Sequence, residues 1–286
     1  MAQAAVSQDG LALEFASAAL KNNFDIVQAA VSDDGFALEF ASAKLKDDFN
    51  ILQAAVSKNG FALQYASDEL KNNFDIVLAA VKDYGTVLEH ASAELKDDRE
   101  IVMEAVRHNG QALEYASAEL KDDQEIVMAA VNKCGLSLFH VINNFNDNVV
   151  VVLAALRSNN HDEEILAEGS NYITKRYIEL ISQLGPKCLD DIDILTAALL
   201  IHGCTFKYFT DEIKNNNTEH FFELCQVAKP SIIYHMYPYY YEKENFDFLK
   251  KLKESYPFYT LTHVDMEQLK NDSFQFFVSV KNSILK

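Results

Sequence analysis

The sequence has no tryptophan, four prolines and nine glycines among 286 residues, too few turn formers for the many tight connections of an all-β sandwich or barrel. Helix is the expected class. Cysteine is sparse as well. Cys134, Cys188, Cys204 and Cys225 share no short paired spacing, which argues against a disulfide scaffold and for reduced thiols in a cytoplasmic-type compartment. Basic side chains are in deficit, 25 Lys and Arg against 43 Asp and Glu, and the net charge of −18 disfavours a nucleic-acid backbone as partner. No run of about 18 uncharged apolar residues suggests a membrane span, and Met1 to Val6 lacks the basic start and apolar stretch of a signal peptide. What is plentiful is apolar residue content, 49%, enough to build a core.

That content is periodic. Gly10, Gly35, Gly60, Gly85, Gly110 and Gly135 are each 25 residues apart. Within one period, Ile26, Val27, Ala29, Ala30 and Val31 fall at helical spacing and predict a first helix of about ten residues with an apolar face. Asn23, Asp48, Asn73, Asp98 and Asp123 stand where an N-cap is needed. The glycine after each first helix is expected to end it in a left-handed conformation, and Asn160 takes that place one period after Gly135. Ala37, Leu38, Ala41 and Leu45 predict a shorter second helix, closed by Lys21, Lys46, Lys71, Lys96 and Lys121 in successive copies. Helices this short do not persist alone in water, so an all-α solenoid of stacked helix pairs is expected.

The clear copies occupy residues 1–156. Residues 157–188 keep helical periodicity without the register and form a degenerate connector. A diverged copy follows at 189–228, with Gly203 at the glycine position, and 229–286 is an aromatic-rich helical capping segment. At the other end, Ala2 to Val6 aligns with Val27 to Val31, so the chain enters within a first helix, and a trimmed start is the expectation.

Binding candidates are the positions that change while the frame stays fixed. Phe24, Phe49 and Phe74 open first helices where later copies carry Arg99 and Gln124, and form either an exposed apolar strip or inter-repeat packing. Asp33, Lys58, Asp83 and His108 lie two residues before each glycine. Tyr237, Tyr239, Tyr240 and Tyr241 have the composition of an interface centre or of an end cap. The ladder Phe15, Phe40, Tyr65, His90, Tyr115, His140 is expected to pack between repeats with its polar tips near solvent. His202, Cys204, His220 and Cys225 include metal-compatible types without zinc-like spacing, so no metal or other cofactor is expected. Cys188 or Cys225 with His235 or His263 and Asp265 are the only nucleophile and base sets to consider, and no local motif fixes them.

The unit Asp98-x-Glu100-Ile101-Val102-x-x-Ala105-Val106-x-x-Asn109-Gly110-x-Ala112-Leu113-x-Tyr115-Ala116-Ser117 resembles an uncharacterised helical repeat family, catalogued as a domain of unknown function and common in proteins of bacteria that grow inside amoebae. The resemblance implies no catalytic or ligand-binding residue. It does imply an effector-like setting, in which a chain without a signal peptide is delivered into a host cell. The expectation is therefore a non-enzymatic scaffold for a protein partner. Residues 1–156 hold 24 acidic and 11 basic side chains, so a partner with a basic surface is expected. The rival expectation is a small hydrolase or transferase within residues 157–286.

Overall fold

The computed structural model describes residue 6, residues 8–158, 171–201 and 203–221, and positions 236, 239, 240 and 243. Every regular element among the described residues is helical. The chain forms two compact units, residues 1–194 and 195–286.

In the first unit each 25-residue copy opens with a ten-residue α-helix: Phe24–Asp33, Phe49–Lys58, Phe74–Asp83, Arg99–His108 and Gln124–Lys133. The caps are those expected. Asn23 accepts the Ile26 N–H at 3.0 Å, and Asp48 accepts those of Asn50 and Ile51. Ile26, Val27, Ala30 and Val31 and their equivalents are buried, while Ala29 and Ala54 are half-buried and Ala79 is exposed. Ala29 therefore sits on the outer shoulder of the helix and Ala30 on the face that meets the glycine of the preceding copy.

The second helix of each pair is divided in two. A six-residue 3-10 helix, as in Gly35–Phe40, is followed by a four-residue α-helix, as in Ala43–Lys46. Ser42 makes the division. Its extended backbone breaks the run, and its hydroxyl caps the short helix by accepting the Leu45 N–H. The same serine reaches the preceding copy, where its Oγ donates to Asn22 Oδ1 at 2.7 Å and its N–H donates to the Lys21 carbonyl at 2.9 Å. Ser67 pairs with Asp47, Ser92 with Asn72 and Ser117 with Asp97 in the same way. One polar rung thus joins each copy to the last.

The role expected of the glycines is corrected. None is left-handed, and each is the first residue of a 3-10 helix rather than the terminator of the long one. The residue before it, such as Asp34 or Asn59, is extended and caps the 3-10 helix with its side chain. Glycine is needed because the next copy comes too close. A Cβ on Gly60 would lie 2.7 Å from the Ala80 carbonyl oxygen, and Gly35 and Gly85 are closer still to Ala55 and Ala105. The buried alanine row and the glycine row are two sides of one contact between repeats.

The last clear copy reaches only its first helix, Val149–Arg157, and helices Asn171–Ile181 and Pro186–Leu189 follow it in the first unit, with Tyr177, Leu180, Ile181 and Leu184 buried. Asp147 accepts the Lys187 N–H at 2.7 Å and so caps the last of these from a distance. The three-part pattern returns as Ile192–Ile201, Gly203–Tyr208 and Asp211–Asn216, where Thr210 caps as Ser42 does. No described helix is long and apolar enough to cross a membrane. Asn160, the expected shortened helix at the start, and most of 229–286 lie outside the described residues.

Candidate protein-binding surface

The long helices present their first residue at one edge of the first unit. Phe24 and Phe49 are 42% and 38% exposed there, and Phe74 is half-buried. Neither an apolar contact nor a cap requires phenylalanine at this place, because the fourth copy has Arg99 and the fifth Gln124 in the same helical position. Arg99 shows what the position reaches. Its two terminal nitrogens grip Asp123 and Glu125, the N-cap and the second helical residue of the next copy. Burial alone would raise the Asp123 carboxyl, but the N–H groups of Ile126 and Glu125 and the Arg99 guanidinium hold it below its ordinary value. The repeat equivalents of Asp123 and Glu125 are Asp48 and Asn50 after Phe24, Asn73 and Asp75 after Phe49, and Asp98 and Glu100 after Phe74. Among the described residues no ion pair involves Asp48, Asp75, Asp98 or Glu100.

Asp33, Lys58, Asp83 and His108 are all exposed at the far end of the same helices. Two of them have structural duties. Asp33 accepts the Gly10 N–H at 2.8 Å and Asp83 accepts that of Gly60 at 2.8 Å, so each carboxylate ties its own copy to the preceding 3-10 helix. His108 lies 3.3 Å from Glu104 on its own helix.

The ring ladder closes each 3-10 helix. Phe40, Tyr65, His90, Tyr115 and His140 are half-buried, and only Phe15 is widely exposed. The tips bridge copies: the Tyr65 hydroxyl donates to Glu39 at 2.9 Å, and His140 Nε2 meets Gln111 Oε1 at 2.9 Å. Lys21 and Lys46 lie over the Phe40 and Tyr65 rings, each 5.9 Å from the centroid. These lysines are therefore turned toward the ladder. Burial, and next the neighbouring Glu39, pushes the Tyr65 phenol up, while burial pulls the His90 and His140 imidazoles down.

Sequence reasoning missed one side-chain group in the fifth copy. Cys134 replaces the Asp or Asn cap, and its thiol accepts from Gln111 Nε2 at 3.1 Å, on the same amide that meets His140. Ser137, buried where other copies carry alanine or valine, has no hydrogen-bond partner for its hydroxyl.

In the second unit Tyr240 is fully buried and donates its hydroxyl to the Lys214 carbonyl at 2.6 Å, which places it in the packing. Tyr239 is half-buried against the buried Lys214, whose ammonium lies 4.8 Å from the Tyr239 ring centroid and 5.1 Å from that of Phe206. Burial, with Asp211 beside it, pushes the Tyr239 phenol up to about 12. Tyr237 and Tyr241 lie outside the described residues.

Of the nucleophiles considered, Cys188 is fully buried, and burial near Asp147 and Asp191 pushes its thiol up to about 12, the opposite of activation. Cys225, His235, His263, Asp265 and His202 lie outside the described residues. His220 Nε2 is 2.8 Å from the Thr196 hydroxyl. Among the described residues no three His, Cys, Asp or Glu side chains gather as metal ligands would.

Comparison with protein families finds a match to the model described as a domain of unknown function (DUF4116), over residues 2–46, 48–96 and 98–146. Each match spans about two of the 25-residue copies. No curated protein and no solved structure matches the chain.

Proposed function

The chain belongs to the DUF4116 family of repeats, and from that premise we propose that it is a non-enzymatic scaffold that binds a protein partner on the edge carrying Phe24, Phe49 and Phe74. One observation carries the reading. Three exposed or half-exposed phenyl rings recur at a position that the same fold fills elsewhere with arginine and glutamine. Packing does not demand them, and an apolar row left in water is costly unless a partner covers it. Asp33 and Asp83, by contrast, are occupied in joining repeats and are secondary to this edge.

The cellular setting proposed is that of an effector-like protein acting on a host partner, in line with the resemblance of the repeat. The test is affinity capture with the wild-type chain and with the triple variant Phe24→Gln, Phe49→Gln, Phe74→Gln, which borrows the residue of the fifth copy and so preserves the fold. A partner held saturably by the wild type and lost by the variant supports the scaffold. Equal capture by both, or no saturable partner, overturns it.

A further inference from the structure

Resting on that scaffold reading, we infer that the phenylalanine edge takes an amphipathic helix with basic flanks. Arg99 supplies the pattern within the chain itself. It fills the slot between an N-cap carboxylate and the acid two residues later, and both terminal nitrogens are engaged. In the three copies before it a phenylalanine stands at the position of the arginine, and Asp48, Asp75, Asp98 and Glu100 are without a cationic partner among the described residues. The nearby lysines do not answer them, since Lys21 and Lys46 lie over the rings of the ladder instead. An apolar edge beside acids that have no cationic partner is complementary to a surface that brings apolar residues in a row and arginine or lysine beside them.

Spacing selects the helix. Packed helices lie about 8–10 Å apart, so three successive phenylalanines span roughly 16–20 Å. An α-helix rising 1.5 Å per residue covers about 10.5 Å in seven residues, two turns that return to the same face. Residues i, i+7 and i+14 of one helix therefore meet Phe24, Phe49 and Phe74 in turn. A helix also satisfies its own backbone. This edge has few backbone donors to offer an extended strand, because Asn23 and Asp48 already accept the first free N–H groups of their helices.

The probe is a labelled peptide of about 18 residues with leucine on the i, i+7, i+14 face and its helical neighbours and arginine on both flanks. Three companions go with it: a scramble of the same composition, a version with glutamate for arginine, and a proline-rich arginine peptide. Fluorescence anisotropy gives the affinity, and circular dichroism gives the helix gained on binding to the full chain. The expected result is saturable, salt-sensitive binding of the first peptide alone, with gain of helix. Affinity should fall about tenfold or more in the triple Phe→Gln variant. It should fall likewise in Asp48→Asn, Asp75→Asn, Asp98→Asn combined, which keeps the rings and uses residues that other copies already carry.

Binding of the arginine helix that is equal in both variants is mere adhesion to an acidic surface and overturns the inference. A Phe-dependent preference for the glutamate or proline-rich peptide, or a Phe-dependent dimer of the chain seen by sedimentation, overturns the partner chemistry while leaving the edge a binding surface. No binding by any peptide also overturns the inference, and the capture experiment above then decides the scaffold reading by itself.

Discussion

Gly60→Ala tests the account of how the repeats stack. The added Cβ would sit 2.7 Å from the Ala80 carbonyl oxygen and 3.2 Å from the Asp83 Cβ. The first neighbour is backbone in the middle of a helix and cannot rotate away. The second belongs to the side chain that accepts the Gly60 N–H at 2.8 Å, so moving it loosens a hydrogen bond between repeats. Overpacking of this sort costs about 1–3 kcal/mol, and the threatened bond adds about 1 kcal/mol, giving an expected loss of about 2–4 kcal/mol. The assay is denaturant unfolding followed by helical circular dichroism. Gly60→Asn makes the test decisive. If the glycine served a left-handed turn, asparagine would be tolerated better than alanine. If close approach is the cause, the larger asparagine is worse than alanine. A loss below about 1 kcal/mol for Gly60→Ala, or an asparagine variant more stable than the alanine one, refutes the reasoning.

Four further outcomes are expected. Ser92→Ala removes both the cap on Leu95 N–H and the bond to Asn72, and should cost about 1–2 kcal/mol in the same assay. Ser32→Ala, on an exposed helix face, should cost under about 0.5 kcal/mol. His140 is held below its ordinary value of 6.5 by burial, so its folded state favours the neutral ring. Its stabilisation is complete above that value and is lost as the pH falls through 6.5 toward the lower folded value. The unfolding midpoint of His140→Gln should accordingly drop less than that of the wild type over this interval. At mildly alkaline pH, iodoacetamide and mass spectrometry should find Cys134 alkylated in the native chain and Cys188 untouched, because the latter is buried with its thiol near 12.

The repeat, the helical class and the N-caps were legible because each leaves a local signature. Asn23 and Asp48 precede apolar helical spacing, and that pattern has one ready meaning. The glycines were legible as a constraint and not as a cause. A residue without a Cβ answers a left-handed turn and a near neighbour equally well, and the neighbour here is an alanine carbonyl 20 residues downstream. Ser42 was passed over for a similar reason. Its place before Ala43-x-Leu45 resembles a cap only once the preceding helix is known to stop at Phe40, and its second bond is to Asn22 in another copy.

The phenylalanine edge shows the reverse case. Variation from Phe74 to Arg99 to Gln124 was visible in the chain, but variation alone does not say whether a side chain is buried. The structure adds two things, exposure of Phe24 and Phe49 and the hold of Arg99 on Asp123 and Glu125. Together they separate the frame from what it displays. The recurring glycine, alanine, serine and cap residues complete the contacts between copies, so the stack does not depend on which residue opens each long helix. A ring placed there three times in succession, at the position that an arginine takes in the fourth copy, is then best understood by what would lie against it.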